Sequence, residues 1–185
     1  MSFSRIAIAA VGVALSASTA LAGSTGYPVS VSNCGFTFEF KKAPQNVVAI
    51  GQGATEILYA LGAGDNLAGT ALWFAKVLPE YEAANAKVPR IADNVPSFEA
   101  VIGKKPGLVT TQFEWMIGKQ GVVGTREQFR DLNVPTYIMP DDCEGKDNLV
   151  GADGTRKGAY TPDFLYKGIA QLAEIFDRRD KGEKL

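Results

Sequence analysis

The stretch that decides the fold is Val47-Val48-Ala49-Ile50-Gly51-Gln52-Gly53-Ala54-Thr55-Glu56-Ile57-Leu58-Tyr59-Ala60-Leu61-Gly62. Its first four residues form a short, wholly apolar run, the pattern of a strand buried on both faces. Gly51-Gln52-Gly53 supplies a turn. A helix follows from about Thr55, with Ile57, Leu58 and Leu61 on one face and Gly62 as its stop signal. A two-sided strand feeding directly into a helix is the repeating unit of a parallel sheet.

Working outward, the same alternation continues. Residues 65–70 predict a second strand, with Leu72, Trp73 and Phe74 at its exit. Residues 77–96, rich in Pro, Glu and Ala, read as a loop. Ser97 caps a helix in which Phe98, Val101 and Ile102 lie at i, i+3 and i+4. Leu108-Val109-Thr110-Thr111 is the third strand, residues 112–124 a long loop, and Thr125 a cap for a helix over 126–132. The fourth strand spans 134–139. Residues 141–160 read as polar loop. Thr161 as a cap, Pro162 at the first helical position and the acid Asp163 then start a helix whose apolar face is Leu165, Ile169, Leu172 and Phe176. Upstream, Val29 and Val31 face Phe36, Phe38 and Phe40 across Ser32-Asn33-Cys34-Gly35, which predicts a β-hairpin. The expected fold class is α/β: a Rossmann-like lobe with a mainly parallel sheet flanked by helices, preceded by a β-hairpin.

Composition narrows the function. Hydrophobic residues make up 46% and charged residues 21%, an ordinary globular balance. The net charge of −1 offers no electrostatic footprint for nucleic acid. The chain has no histidine, which removes the commonest general base, Ser-His and Cys-His nucleophile pairs, and imidazole metal sites. There is no Gly-x-Ser-x-Gly elbow, so an exported α/β hydrolase would have to rely on carboxylate or lysine chemistry. Gly51-Gln52-Gly53 lacks the third glycine of a dinucleotide fingerprint, because Glu56 stands at that offset. Asp141-Asp142 with Glu144 and Asp147 does not follow the EF-hand spacing and reads as a solvated acidic loop. No cofactor and no protein-held metal is expected.

The N-terminus reads as an export signal over residues 1–22. Arg5 marks the n-region, residues 6–15 the apolar core, and Ala20-Leu21-Ala22 a small-x-small cleavage site. The apolar run is shorter than the roughly 20 residues a membrane span needs. No integral membrane segment is expected after cleavage, and the location is periplasmic or otherwise extracytoplasmic. Cys34 and Cys143 then sit in an oxidising compartment. Their even count allows one bridge, the alternative being two separate buried thiols.

A family resemblance rests on a series of blocks in fixed order. They are Asn33-Cys34-Gly35; Ala43-Pro44 followed by Val47-Val48-Ala49-Ile50; and Gly53-Ala54-Thr55-Glu56-Ile57-Leu58 with Ala60-Leu61-Gly62 and Gly64-Asp65. Leu67-Ala68-Gly69-Thr70, Val88-Pro89-Arg90-Ile91, Ser97-Phe98-Glu99-Ala100-Val101 and Pro106-Gly107-Leu108-Val109 follow. Together, over about residues 28–176, they resemble the periplasmic binding proteins for iron–siderophores and cobalamin that serve ABC importers.

The resemblance implies two Rossmann-like lobes joined by one long helix, with ligand held between them. It implies that residues 23–160 form the N-terminal lobe and that 161–185 lead into the interlobe helix. The C-terminal lobe is absent from this sequence, as in a fragment or a truncated product. The implied role is substrate-binding component of an importer for a metal chelate or a cobalamin-like ligand. The implied partner is the ABC importer permease, met through an exposed carboxylate that matches Glu99 here. The alternatives are a one-lobe exported partner-binding protein or a non-functional fragment, and the exported hydrolase.

In parallel sheets, ligands lie beyond the carboxyl ends of the strands. The candidate ligand-binding residues at those ends are Gln52, Thr55, Trp73, Asn94, Gln112, Trp115 and Arg126. Trp73 and Trp115 could stack on ligand or pack their own loops. Gln52 and Thr55 could hydrogen-bond ligand, and Thr55 could equally cap its helix. Asn94 and Gln112 align with cleft-lining positions. Arg126 could pair with an anionic group or simply face solvent.

Overall fold

A computed structural model describes residues 26–149 and 154–185. The signal read over residues 1–22 lies outside the described residues. The chain opens with an antiparallel hairpin, β1 (Val29–Asn33) and β2 (Phe36–Phe40). Its two-residue turn, Cys34-Gly35, has φ of 49° and 82°. Two successive positive φ values are what a tight hairpin turn needs to match the strand twist.

β3 (Val47–Ile50) and α1 (Gln52–Ala60) follow, then a 3₁₀ turn over Gly64–Asn66 and β4 (Leu67–Ala71). A 3₁₀ turn at Pro79–Tyr81 and α2 (Glu82–Asn85) lead to β5 (Arg90–Ala92) and α3 (Phe98–Ile102). The second half holds β6 (Val109–Thr111), α4 (Glu114–Ile117), α5 (Arg126–Asp131) and β7 (Thr136–Ile138). After α6 (Pro140–Cys143) come β8 (Lys146–Asp147) and β9 (Thr155–Arg156), then α7 (Asp163–Ile175) and α8 (Arg179–Gly182).

The five central strands run parallel in the order β5-β4-β3-β6-β7. Every residue of β3, β6 and β7 is buried. Alternate residues serve two cores. Val47 and Ala49 join Leu58, Leu61, Tyr137, Leu172 and Phe176, beneath α1, α7 and the hairpin. Val48 and Ile50 join Val101, Val109, Ile117, Phe129 and Ile138, beneath α3, α4 and α5. A strand covered on both faces must be apolar at every position, which is why β3 reads as it does.

The caps predicted at Ser97 and Thr125 are present, whereas Thr161 caps nothing: Pro162 is the N-cap of α7, and Thr161 Oγ1 donates to Asp163 Oδ2 at 3.1 Å. Ser97 Oγ accepts from Ala100 N at 3.1 Å, and Thr125 forms a full capping box with Gln128. Three predicted loops carry structure. The 77–96 loop contains α2 and the edge strand β5, whose three residues are too few to show alternation. Residues 112–124 contain α4. The 141–160 loop holds α6 and the two-residue ladder of β8 and β9. Among the described residues no helix is long and apolar enough to cross a membrane.

Candidate functional site

The chain lays β3, β4 and β5 outward to one side, then returns to place β6 on the other side of β3. The connections diverge between β3 and β6, and a crevice for ligand belongs at the carboxyl ends of those two strands. There the structure places Gln52 and Gln112. Gln112 Oε1 accepts from Gly53 N at 2.9 Å, so its amide caps the start of α1. Gly51 makes this approach possible. Its φ is 106°, and a Cβ added there would lie 2.5 Å from Gln112 Cβ. The backbone N–H groups at this helix start, often an anion site, are thus partly occupied by a neutral side chain of the protein.

Gln52 organises the neighbouring loop. Its Oε1 accepts from Phe74 N and Ala75 N at 3.3 and 3.0 Å, and its Nε2 donates to Glu56 Oε1 and to Lys76 O at 3.0 and 3.1 Å. Glu56 Oε1 also accepts from Leu78 N. These bonds hold the segment after β4, which carries an aromatic group outward. Phe74 is 67% exposed and meets Phe113 edge-on at 6.0 Å between ring centroids. Phe113 in turn stacks with Trp115 at 6.0 Å. Trp73 donates its indole N–H to Thr70 Oγ1 at 3.2 Å, and the Arg90 guanidinium covers one face of its ring at 4.7 Å. Asn94 is exposed just beyond β5, and its amide makes no hydrogen bond among the described residues.

Trp73, Phe74, Phe113 and Trp115 therefore line one edge of the sheet, at the exits of β4 and β6. Phe74 and Phe113 were not among the expected contacts. Both stand at strand exits beside residues expected to meet ligand, and that position, rather than residue type, is the signal that sets them apart from the eight other phenylalanines. Glu99 belongs to the same edge, because α3 begins where β5 ends. It sits exposed in the first helical turn, where the helix dipole favours a carboxylate, and it has no ion pair among the described residues.

Two expected ligand contacts are corrected. Thr55 is fully buried, and its hydroxyl donates back to Gly51 O at 2.9 Å, so it neither caps α1 nor reaches a ligand. Arg126 is 2% exposed. Its Nε donates to Thr136 Oγ1, its Nη1 to Asn33 O and Cys34 O, and its Nη2 to Asn33 Oδ1 and Thr136 O. Its guanidinium also lies 4.4 Å from the Phe36 ring centroid. Burial pulls its pKa down to about 10, which leaves it cationic at neutral pH. With all five donors engaged, it ties the hairpin to β7 and offers an anion nothing.

Asn33 completes this clamp. Its Nδ2 donates to Ile138 O and its Oδ1 accepts from Ile138 N. Cys34 and Cys143 form a disulfide with Cα atoms 5.9 Å apart. Beside it, Asp142 gathers a second polar cluster. Its Oδ2 accepts from Glu114 N at 2.6 Å, its Oδ1 pairs with Lys146 Nζ, and its backbone O accepts from Asn148 Nδ2 at 2.6 Å. Along the sequence this acidic stretch has the pattern of a solvated loop. Burial of Asp142 at 7% exposure is a tertiary fact that local polarity hides.

The chain matches a family model for periplasmic binding proteins over residues 47–185 and belongs to that family. No curated protein matches it significantly in sequence. Solved structures share the fold. A periplasmic binding protein from Veillonella parvula aligns with 24% identity and a TM-score of 0.66, covering 84% of this chain and 48% of its own. A protein described as an ABC-type Fe3+-hydroxamate transport system, from Saccharomonospora viridis, aligns with 24% identity and a TM-score of 0.67, covering 85% and 51%. The petrobactin-binding protein YclQ from Bacillus subtilis gives 20% identity and a TM-score of 0.55, covering 84% and 47%. The chain thus spans about half the length of the structures it matches.

Proposed function

We propose that this chain is the N-terminal lobe of an extracytoplasmic substrate-binding protein that serves an ABC importer for a metal chelate or a cobalamin-like ligand. The observation that carries the reading is the aromatic edge formed by Trp73, Phe74, Phe113 and Trp115 beyond the strand ends. An aromatic group as exposed as Phe74, beside two stacked rings, suits the apolar body of a large organic ligand. Asn94 and the Nε2 of Gln112, which makes no hydrogen bond among the described residues, add polar contacts around it, while Gln52 spends both ends of its amide on the loop that presents Phe74. The family membership and the iron-chelate names of several neighbours support the same class. The iron would arrive inside its chelator and needs no protein ligands.

Residues 161–185 then lead toward the interlobe helix. Glu99 is the docking carboxylate for permease arginines, which it can meet in a bidentate pair. One lobe supplies one wall of the cleft, so the isolated chain should bind more weakly than a two-lobed protein.

The test is quenching of tryptophan fluorescence on titration with a ferric trihydroxamate and, separately, with cobalamin. Saturable quenching by one of them, weakened about tenfold by Phe74→Ala, is the expected result. No saturation by either would remove the chelate reading. A one-lobe partner-binding protein would then become the working account.

A further inference from the structure

A separate cavity of 360 Å³ lies beside the disulfide, lined by Glu114, Lys119, Lys146, Asp147, Asn148 and Lys157, with both cysteines in its wall. Phe113 and Trp115 take no part in it, so it does not belong to the aromatic edge. Three features mark it as built for a ligand. Asn148 is only 8% exposed, and its Oδ1 is buried without a hydrogen-bond partner among the described residues. The orientation of that amide is set, because Nδ2 is committed to Asp142 O. Glu114 Oε2 is likewise buried and unpartnered among the described residues. Buried acceptors left unmet cost free energy, and proteins rarely leave two in one place without use.

The cationic side of the cavity is equally uneven. Lys146 is neutralised by Asp142. Lys119 and Lys157 are exposed and have no ion pair among the described residues. The cavity therefore offers two unmet buried acceptors, one of them a carboxylate, together with two unpaired ammonium groups; the Asp147 carboxylate also lines it and accepts from Leu149 N at 3.1 Å. A simple anion would satisfy the lysines and leave the acceptors bare. A simple cation would do the reverse.

We propose that this cavity binds the zwitterionic end of a small molecule, with an ammonium group on Glu114 and Asn148 and a carboxylate on Lys119 and Lys157. Asp142 holds the site open. It anchors the start of α4 at Glu114 N, it occupies Lys146, and its carbonyl aims Asn148. The Cys34–Cys143 bridge pins the helix that carries Asp142. This inference goes beyond the chelate reading and does not rest on it.

The test uses the chain with its bridge intact, followed by two-dimensional amide NMR. The probes are ω-amino carboxylates from β-alanine to 6-aminohexanoate, with the matching alkylamines and alkanoates as controls. The expected result is saturable shifts at residues 114–120 and 142–149 for one amino carboxylate, with either control about tenfold weaker. Glu114→Gln and Lys119→Met should each weaken it about tenfold, and Asn148→Leu should do the same. No saturable shift from any probe would overturn the proposal. So would an alkanoate that binds as well as the amino carboxylate, because the cavity would then be a plain anion site. None of the probes is a chelate, so failure of the ferric and cobalamin titrations would leave this result readable.

Discussion

Two buried polar clusters flank the Cys34–Cys143 bridge, and they are completed to different degrees. On one side Arg126 meets Asn33, Cys34 and Thr136 with all five donors, and Asn33 closes the circuit onto Ile138. On the other side Asp142 is saturated, but its neighbours Glu114 and Asn148 each keep a buried oxygen without a partner among the described residues. A fully satisfied network rigidifies a fold, whereas a partly satisfied one costs stability unless something else completes it. The difference separates scaffold from site more sharply than residue type does. By residue type alone Arg126 is the ligand-seeking group and the Asp142 loop is inert.

The largest expected effect falls on the element the clusters share. Replacing both Cys34 and Cys143 by alanine frees a loop of 109 residues' separation. The chain-entropy model values such a bridge at about 4.7 kcal/mol. Urea unfolding should show a loss of that order. A loss under about 1 kcal/mol would mean that the Arg126 clamp alone holds the hairpin in place.

Next come the clusters themselves, compared in one pair of variants. Arg126→Met strands the carbonyls of Asn33 and Thr136 and should cost about 3 kcal/mol. Glu114→Gln should cost less than about 1 kcal/mol, because it removes a carboxylate oxygen that no hydrogen bond rewards. Equal costs in urea unfolding would erase the distinction between the two sides.

The smallest effect is a pH dependence at Asp141, next to the second cluster. Burial pushes its carboxyl above the usual range, and the Asp142 charge adds to this, against the lowering effects of its backbone hydrogen bond and of Arg156 and Lys146. A folded-state value raised above the unfolded one means that the folded state holds the proton more tightly. The stability this contributes is complete below the ordinary aspartate range and is lost as pH rises through the raised value. The urea midpoint of the parent should therefore fall relative to Asp141→Asn as pH increases from that range upward. A constant difference across that window would show that Asp141 is solvated.

Much of the fold was legible along the chain because its signals are local. The apolar run 47–50, the caps Ser97 and Thr125, the hairpin around Cys34-Gly35 and the amphipathic face of α7 depend on neighbours within a few residues, and each appears as read. β5 and α4 escaped notice because three or four residues cannot show a period.

The candidate sites divide in the same way. The sequence by itself determined the α/β class, the strand exits and the presence of Trp73, Trp115 and Glu99 at those exits, since parallel topology sends every such exit to one edge. Only the tertiary structure decided which polar groups are already spent. Thr55 and Gln112 bond within the β3–α1 turn, and Arg126 reaches back 93 residues to Asn33. Whether a donor is free depends on partners far away in the chain, and no local pattern encodes that.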